Sequence, residues 1–99
     1  MKVKIQSIHF DADAKLLQFI EGKVEKLGHF YNEIIGSEVF LKLDKNSNTE
    51  NKVAEIKLHI AGNDLFVKKQ CKSFEEATDT AVEALTRQLK KHKEKAKGL

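Results

Sequence analysis

Proline is absent from this 99-residue chain, and cysteine occurs once. The first absence argues against a Pro-rich linker. The second means that Cys71 has no partner for an internal disulfide, which fits a reducing compartment. No run of 18 apolar residues occurs, so no transmembrane helix is expected. The opening MKVKIQSIHF lacks the long apolar region of a signal peptide, so a cytosolic, cytoplasmic location is expected. There is also no phosphate-binding glycine loop and no nucleophile elbow. His9, His29, His59 and His92 show no metal-ligand spacing and have a single thiol for company, so neither a metal nor a cofactor is expected. Asp79 and Glu83 stand one turn apart, but they belong to the acidic half of a helical pattern, where solvation accounts for them. Cys71 falls on the apolar side of its strand and reads as core rather than nucleophile. Nothing here gives a positive reason to propose an enzyme or a small-molecule substrate.

What the chain does have is charge, unevenly placed. Its formal net charge is +3. Residues 87–99 hold six Lys and Arg against one acid, a net +5, whereas residues 1–86 hold 12 bases and 14 acids. The basic balance therefore comes from one end of the chain. Such a cluster fits a polyanion partner, or simply a solvated helix end; charge alone leaves both open.

The basic end belongs to the longest helical pattern, Ser73 to Lys97. Ser73 is a candidate N-cap, with Glu76 three residues later as in a capping box. Phe74, Ala77, Thr78, Ala81, Val82, Leu85 and Leu89 fall on one arc, the signature of a helix packed on a core. Glu75, Glu76, Asp79 and Glu83 fill the N-terminal half; Arg87, Lys90, Lys91, Lys93, Lys95 and Lys97 fill the C-terminal half. That order suits the helix dipole, although six cations exceed what a dipole needs.

Before it, residues 2–8 alternate as a short strand. Asp11 and Asp13 are candidate N-caps for a helix from 13 to about 31, whose core arc is Leu16, Leu17, Ile20, Val24 and Leu27. Lys15, Lys23 and Lys26 share another arc with Phe19. Gly28 and the Gly36 region are expected to mark the helix exit and the following turn, with Phe30 and Tyr31 packing at the helix end. Three strands then follow. Val39, Leu41 and Leu43 alternate with polar positions and Phe40; residues 45–51, KNSNTEN, form a flexible connection. Ala54, Ile56, Leu58 and Ile60 alternate with Val53, Glu55, Lys57 and His59. Ala61-Gly62-Asn63-Asp64 is a tight-turn signal. Leu65, Val67 and Cys71 then oppose Phe66, Lys68 and Gln70.

The expected fold is one α+β domain, β-α-β-β-β-α, with a four-stranded sheet and both helices on its single apolar face. The opposite face, with Lys42, Lys57, His59 and Lys68, is expected to be exposed. Arg87, Lys91 and Lys95 at i, i+4, i+8 form a stripe flanked by Lys90 and Lys93; Lys23 and Lys26 form a smaller basic edge. Side by side, the two helices would join these into one patch of the kind that phosphate backbones require. Phe19 could stack on a base, although packing against a neighbouring helix is the commoner role of such a residue.

The closing Arg87-Gln88-Leu89-Lys90-Lys91-His92-Lys93-Glu94-Lys95 resembles the R-Q-L-x-K-x-K-x-K ending of the short-form ribosome hibernation promoting factors and ribosome-associated translation inhibitors of bacteria. Phe19, Lys23, Lys26 and Leu27 are similar to that family's F-x-x-x-K-x-x-K-L, and Asp79 fits an acidic position upstream. Glu75 stands where the family often has Tyr. The resemblance spans essentially the whole chain, without the extra C-terminal domain of long-form relatives. It implies a fold like a double-stranded-RNA-binding domain. It also implies binding to the small ribosomal subunit and its rRNA near the decoding region, with translation inhibited by blocking mRNA and tRNA. The implied RNA contacts are Lys23, Lys26, Arg87, Lys91, Lys93 and Lys95, with Lys90 at a variable position. Rival readings are a general double-stranded-RNA binder and a protein-interaction module whose basic helix meets an acidic partner.

Overall fold

The computed structural model describes residues 1–46 and 48–96, the last three by backbone alone. Its elements are β1 (Lys2–Ser7), α1 (Ala14–Phe30), β2 (Ile34–Leu43), β3 (Lys52–Ile60), β4 (Asn63–Cys71) and α2 (Phe74–Ala96). The strands lie in the order β1-β2-β3-β4. β1 and β2 are parallel, so α1 serves as the crossover between them; the remaining pairs are antiparallel and joined by short connections.

Both helices cover one face. α1 packs over β1 and β2, and α2 over β3 and β4. The core holds Ile20, Val24 and Leu27 from α1, Val39 and Leu41 from β2, and Ala54, Ile56, Leu58 and Ile60 from β3. It is completed by Val67 and Cys71 from β4 and by Phe74, Ala77, Ala81, Leu85 and Leu89 from α2. The alternation read from the strands sorts core from solvent except at Leu43, which is 43% exposed. The helical arcs meet the core, although Leu16 and Leu17 of the α1 arc are only partly buried.

Topology also sets the sense of the helices. α1 runs against β1 and β2, α2 runs against β4, and β4 is parallel to β2, so the two helices run the same way. Phe10, just before α1, stacks on Phe74 at the start of α2, with centroids 5.1 Å apart and an interplanar angle of 6°. At the other end Lys93 of α2 reaches the ring of Tyr31, just past α1. Both starts share one pole of the molecule, and both basic ends lie toward the other.

Both N-caps form: Asp13 Oδ1 accepts from the Leu16 N–H at 2.8 Å, and Ser73 Oγ from the Glu76 N–H at 3.0 Å. Several local expectations do not hold. Gly28 lies inside α1, which continues to Phe30, and the Met1 side chain lies against its bare Cα. Gly36 is not a turn residue. It stands inside β2 beside an irregularity between Ile34 and Gly36, which breaks the alternation and hides the first part of the strand. Phe30 does not pack; it is 72% exposed, while Tyr31 is buried and donates its N–H to the Leu27 carbonyl.

The β2–β3 connection is held, not loose, at the residues described. The Asp44 carboxylate accepts from the Asn46 N–H at 2.9 Å and from Gln70 Nε2 at 2.8 Å; the same Nε2 donates to the Glu50 carbonyl at 2.7 Å. Gln70 is on β4, so its side chain crosses β3 to reach Asp44. It pairs in register with Val53, which explains why Val53 is buried on the otherwise solvent-facing side. Gly62 takes the positive φ of +85° in the Ala61–Gly62 turn between β3 and β4, a conformation that costs glycine little.

Candidate nucleic-acid interface

Phe19, Lys23, Lys26 and Phe30 follow one another at i, i+4, i+7 and i+11, which sets them along one face of α1. Lys23 shows where this face points. Its Nζ lies 3.2 Å from Asp79 Oδ1 on α2 and 5.5 Å from the centroid of the Phe19 ring. The face is turned toward α2. Both partners of the ion pair are well exposed, and such pairs are worth about 0–1 kcal/mol. The pair thus locates the Lys23 ammonium without holding it tightly, and a phosphate could replace the carboxylate. Phe19 is half-buried against the core, with Lys23 over its ring.

On α2, helical periodicity places Asp79, Lys90 and Lys93 on the flank toward α1, whereas Arg87 and Lys91 turn outward and away from it. Lys93 Nζ sits 5.5 Å from the Tyr31 ring centroid. Lys26, Arg87, Lys90, Lys91 and Lys93 are exposed, and no ion pair among the described residues engages them. Lys95 lies in the last turns of α2, but its side chain is outside the described residues, as is Lys97 altogether. Of the cations read from the sequence as RNA contacts, those with described side chains lie on one helical layer in two groups. Lys23, Lys26, Lys90 and Lys93 border the interhelical groove; Arg87 and Lys91 form the outer edge.

The open sheet face is different. Lys4 is in register with Glu38, Glu38 with Lys57, and Glu55 with Lys68. Lys42 Nζ meets Glu55 Oε2 at 2.6 Å. His59 lies between Glu38, 3.8 Å from Nε2, and Asp64, 3.4 Å from Nδ1. Lys68 is exposed, but Lys42, Lys57 and His59 are only partly so. Positive charge here is interleaved with negative charge, so this face is poorly suited to a polyanion, and the helical layer is the better candidate. Among the described residues no group of His, Cys, Asp or Glu is placed to hold a metal ion, and no helix is long and apolar enough to cross a membrane.

Three features escaped sequence reasoning. The Lys23–Asp79 and Lys93–Tyr31 contacts join residues far apart in the chain, so only the parallel sense of the helices brings them together. The exposure of Phe30 was masked by its neighbour, because either aromatic of Phe30-Tyr31 could close the helix end.

A four-stranded sheet with two parallel helices on one face, and with cations gathered toward the ends of both, defines a small α+β domain with a basic helical layer. Residues 3–97 match the family described as Sigma 54 modulation protein / S30EA ribosomal protein, and the chain belongs to that family. It is 28% identical over 97 residues to the ribosome hibernation promoting factor of Escherichia coli K12, with 98% of each chain covered. It is 29% identical over 99 residues to the protein of that name from Pseudomonas putida, covering 100% of this chain and 93% of that one. A ribosomal subunit interface protein from Coxiella burnetii has the same fold, with a TM-score of 0.83 at 17% identity, covering 94% of this chain and 98% of that one. The N-terminal domain of Thermus thermophilus Protein Y gives 0.79 at 22%, covering 93% and 99%.

Proposed function

We propose that this chain holds ribosomes in a non-translating state during slow growth. It binds the small ribosomal subunit in the cytoplasm, near the decoding region, and occupies space that mRNA and tRNA need. The observation that carries this reading is the basic helical layer. Lys26, Arg87, Lys90, Lys91 and Lys93 stand exposed on it, with Lys23 beside them against Asp79 and Lys93 over Tyr31. Membership of the family, and relatives named for ribosome hibernation, support the ribosome as the target of that layer. The rRNA phosphates would meet these cations and release counterions, which makes binding sensitive to salt. Occupancy is the whole mechanism; it requires no catalytic group.

The test is a purified translation system at matched ionic strength. The protein should suppress output, and excess mRNA with tRNA should relieve the suppression, because ligands sharing a site exclude one another. Inhibition that survives saturating mRNA and tRNA yet vanishes with bulk duplex RNA would replace this reading with a general duplex binder. Arg87→Ala combined with Lys91→Ala should weaken binding to small subunits. It should also flatten the slope of log affinity against log salt by about two contacts' worth, roughly 1.4–1.8. An unchanged slope would remove these two residues from the interface.

A further inference from the structure

We infer that Phe30 is a stacking platform for one unpaired rRNA base beside the basic helical layer. The inference rests on the RNA-binding reading above and adds a contact of a different kind. At 72% exposed, Phe30 is the most open of the large apolar side chains described. The fold does not need it there. Tyr31 closes the core at this end, and its backbone N–H finishes the helix on the Leu27 carbonyl at 2.9 Å.

Its surroundings favour RNA over an apolar partner. Phe30 follows Lys26 by one turn and Lys23 by two, on the face that Lys23 turns toward α2. Lys93 of α2 lies over Tyr31, the next residue in the chain, so the basic end of α2 is level with Phe30. A nucleotide whose base lay on this ring would have Lys26 on one side and the end of α2 on the other, ready for the flanking phosphates. The base must be unpaired and unstacked, because bases within a duplex already have their faces covered. Stacking tolerates any base, so the contact would read an extruded nucleotide rather than a sequence.

Other exposed or half-exposed rings fit less well. Phe19 has the Lys23 ammonium over it and is partly buried. Phe66 is 53% exposed but lies on the sheet face where charges are interleaved, in register with Lys57.

The experiment measures affinity for purified small ribosomal subunits across a salt series, for wild type, Phe30→Ala, Phe30→Trp and Lys26→Ala. Phe30→Ala should weaken binding about tenfold, within the roughly 5- to 150-fold that loss of one base stack gives, with the salt slope and the melting temperature unchanged. Phe30→Trp should bind as well as wild type. Lys26→Ala should flatten the slope by about one contact. Chemical probing of unpaired bases should show a nucleotide that wild type protects and Phe30→Ala exposes, with the remaining protections intact. Wild-type affinity in Phe30→Ala alongside a weakened Lys26→Ala would overturn the stacking role and leave the basic layer standing. So would a loss in Phe30→Ala accompanied by a flatter slope. Failure of the wild-type protein to bind subunits at all would instead overturn the reading beneath it.

Discussion

Thr78 is enclosed completely beneath α2, and its Oγ1 has no hydrogen-bond partner among the described residues. A buried hydroxyl without a partner costs about 1–3 kcal/mol in lost hydration. Thr78→Val keeps the branched shape and removes that cost. The variant should melt higher, by several degrees for each kcal/mol regained in a domain of this size. A lower melting temperature would mean that the hydroxyl has a partner after all, such as a bound water. Ser37, nearly buried on β2 with an equally unpartnered Oγ, should respond the same way to alanine. The sequence places Thr78 on the core arc by its spacing. Whether its hydroxyl finds an acceptor depends on atoms brought near by folding, which spacing does not encode. Asp79 poses the opposite case. It is exposed, so Asp79→Asn should alter stability by no more than about 0.5 kcal/mol. It should tighten subunit binding, because Lys23 then has no internal carboxylate competing with phosphate. Weaker binding in that variant would give Asp79 a positioning role instead.

Within α2, neighbouring residues belong to different tasks. Leu85 and Leu89 are fully buried, and Leu→Ala at either should cost about 2–5 kcal/mol, a large share of a small domain's stability. Arg87 and Lys91 lie off that face, so their alanine variants should melt close to wild type while losing affinity. Equal melting temperatures in the two sets would mean that the helix faces are misassigned. The β2–β3 connection offers a test by pH. The Asn46 N–H and then the Gln70 amide hold the Asp44 carboxyl below its ordinary value; burial opposes them, and the charge of Lys68 adds the smallest lowering effect. Because the folded-state pKa is the lower one, the ionised group stabilises the fold above about pH 4, and this contribution fades as pH falls through the folded value. Asp44→Asn should therefore melt below wild type at neutral pH, with the gap closing in acid. The elements that periodicity revealed are those whose pattern is uninterrupted: α2, β3 and the core side of α1. It failed where a local irregularity or a long-range contact intervened. The break between Ile34 and Gly36 hid the start of β2, Gly28 lies under the Met1 side chain with α1 running on past it, and Gln70 of the next strand stands opposite Val53.

At the scale of the whole molecule, one parallel strand pair decides much of the surface. Because β1 runs with β2, the helix between them must run against both, and the meander that follows returns α2 in the same sense as α1. Both helices therefore point their C-terminal carbonyls toward one pole. Each such end carries the equivalent of about half a negative charge, and a cation in the last turn gains about 0.3–1 kcal/mol from it. Positive charge gathered at this pole is thus partly compensated by the protein's own backbone. The same cations placed at the opposite pole would face two helix N-termini. This asymmetry bears on how such a surface can change over evolution. New lysines that strengthen a grip on a polyanion would arise with little loss of fold at the C-terminal pole and be opposed at the other. A library of single Lys substitutions should accordingly show its stability-neutral members clustered near Lys90, Lys91 and Lys93, and its destabilising ones near Glu75 and Glu76.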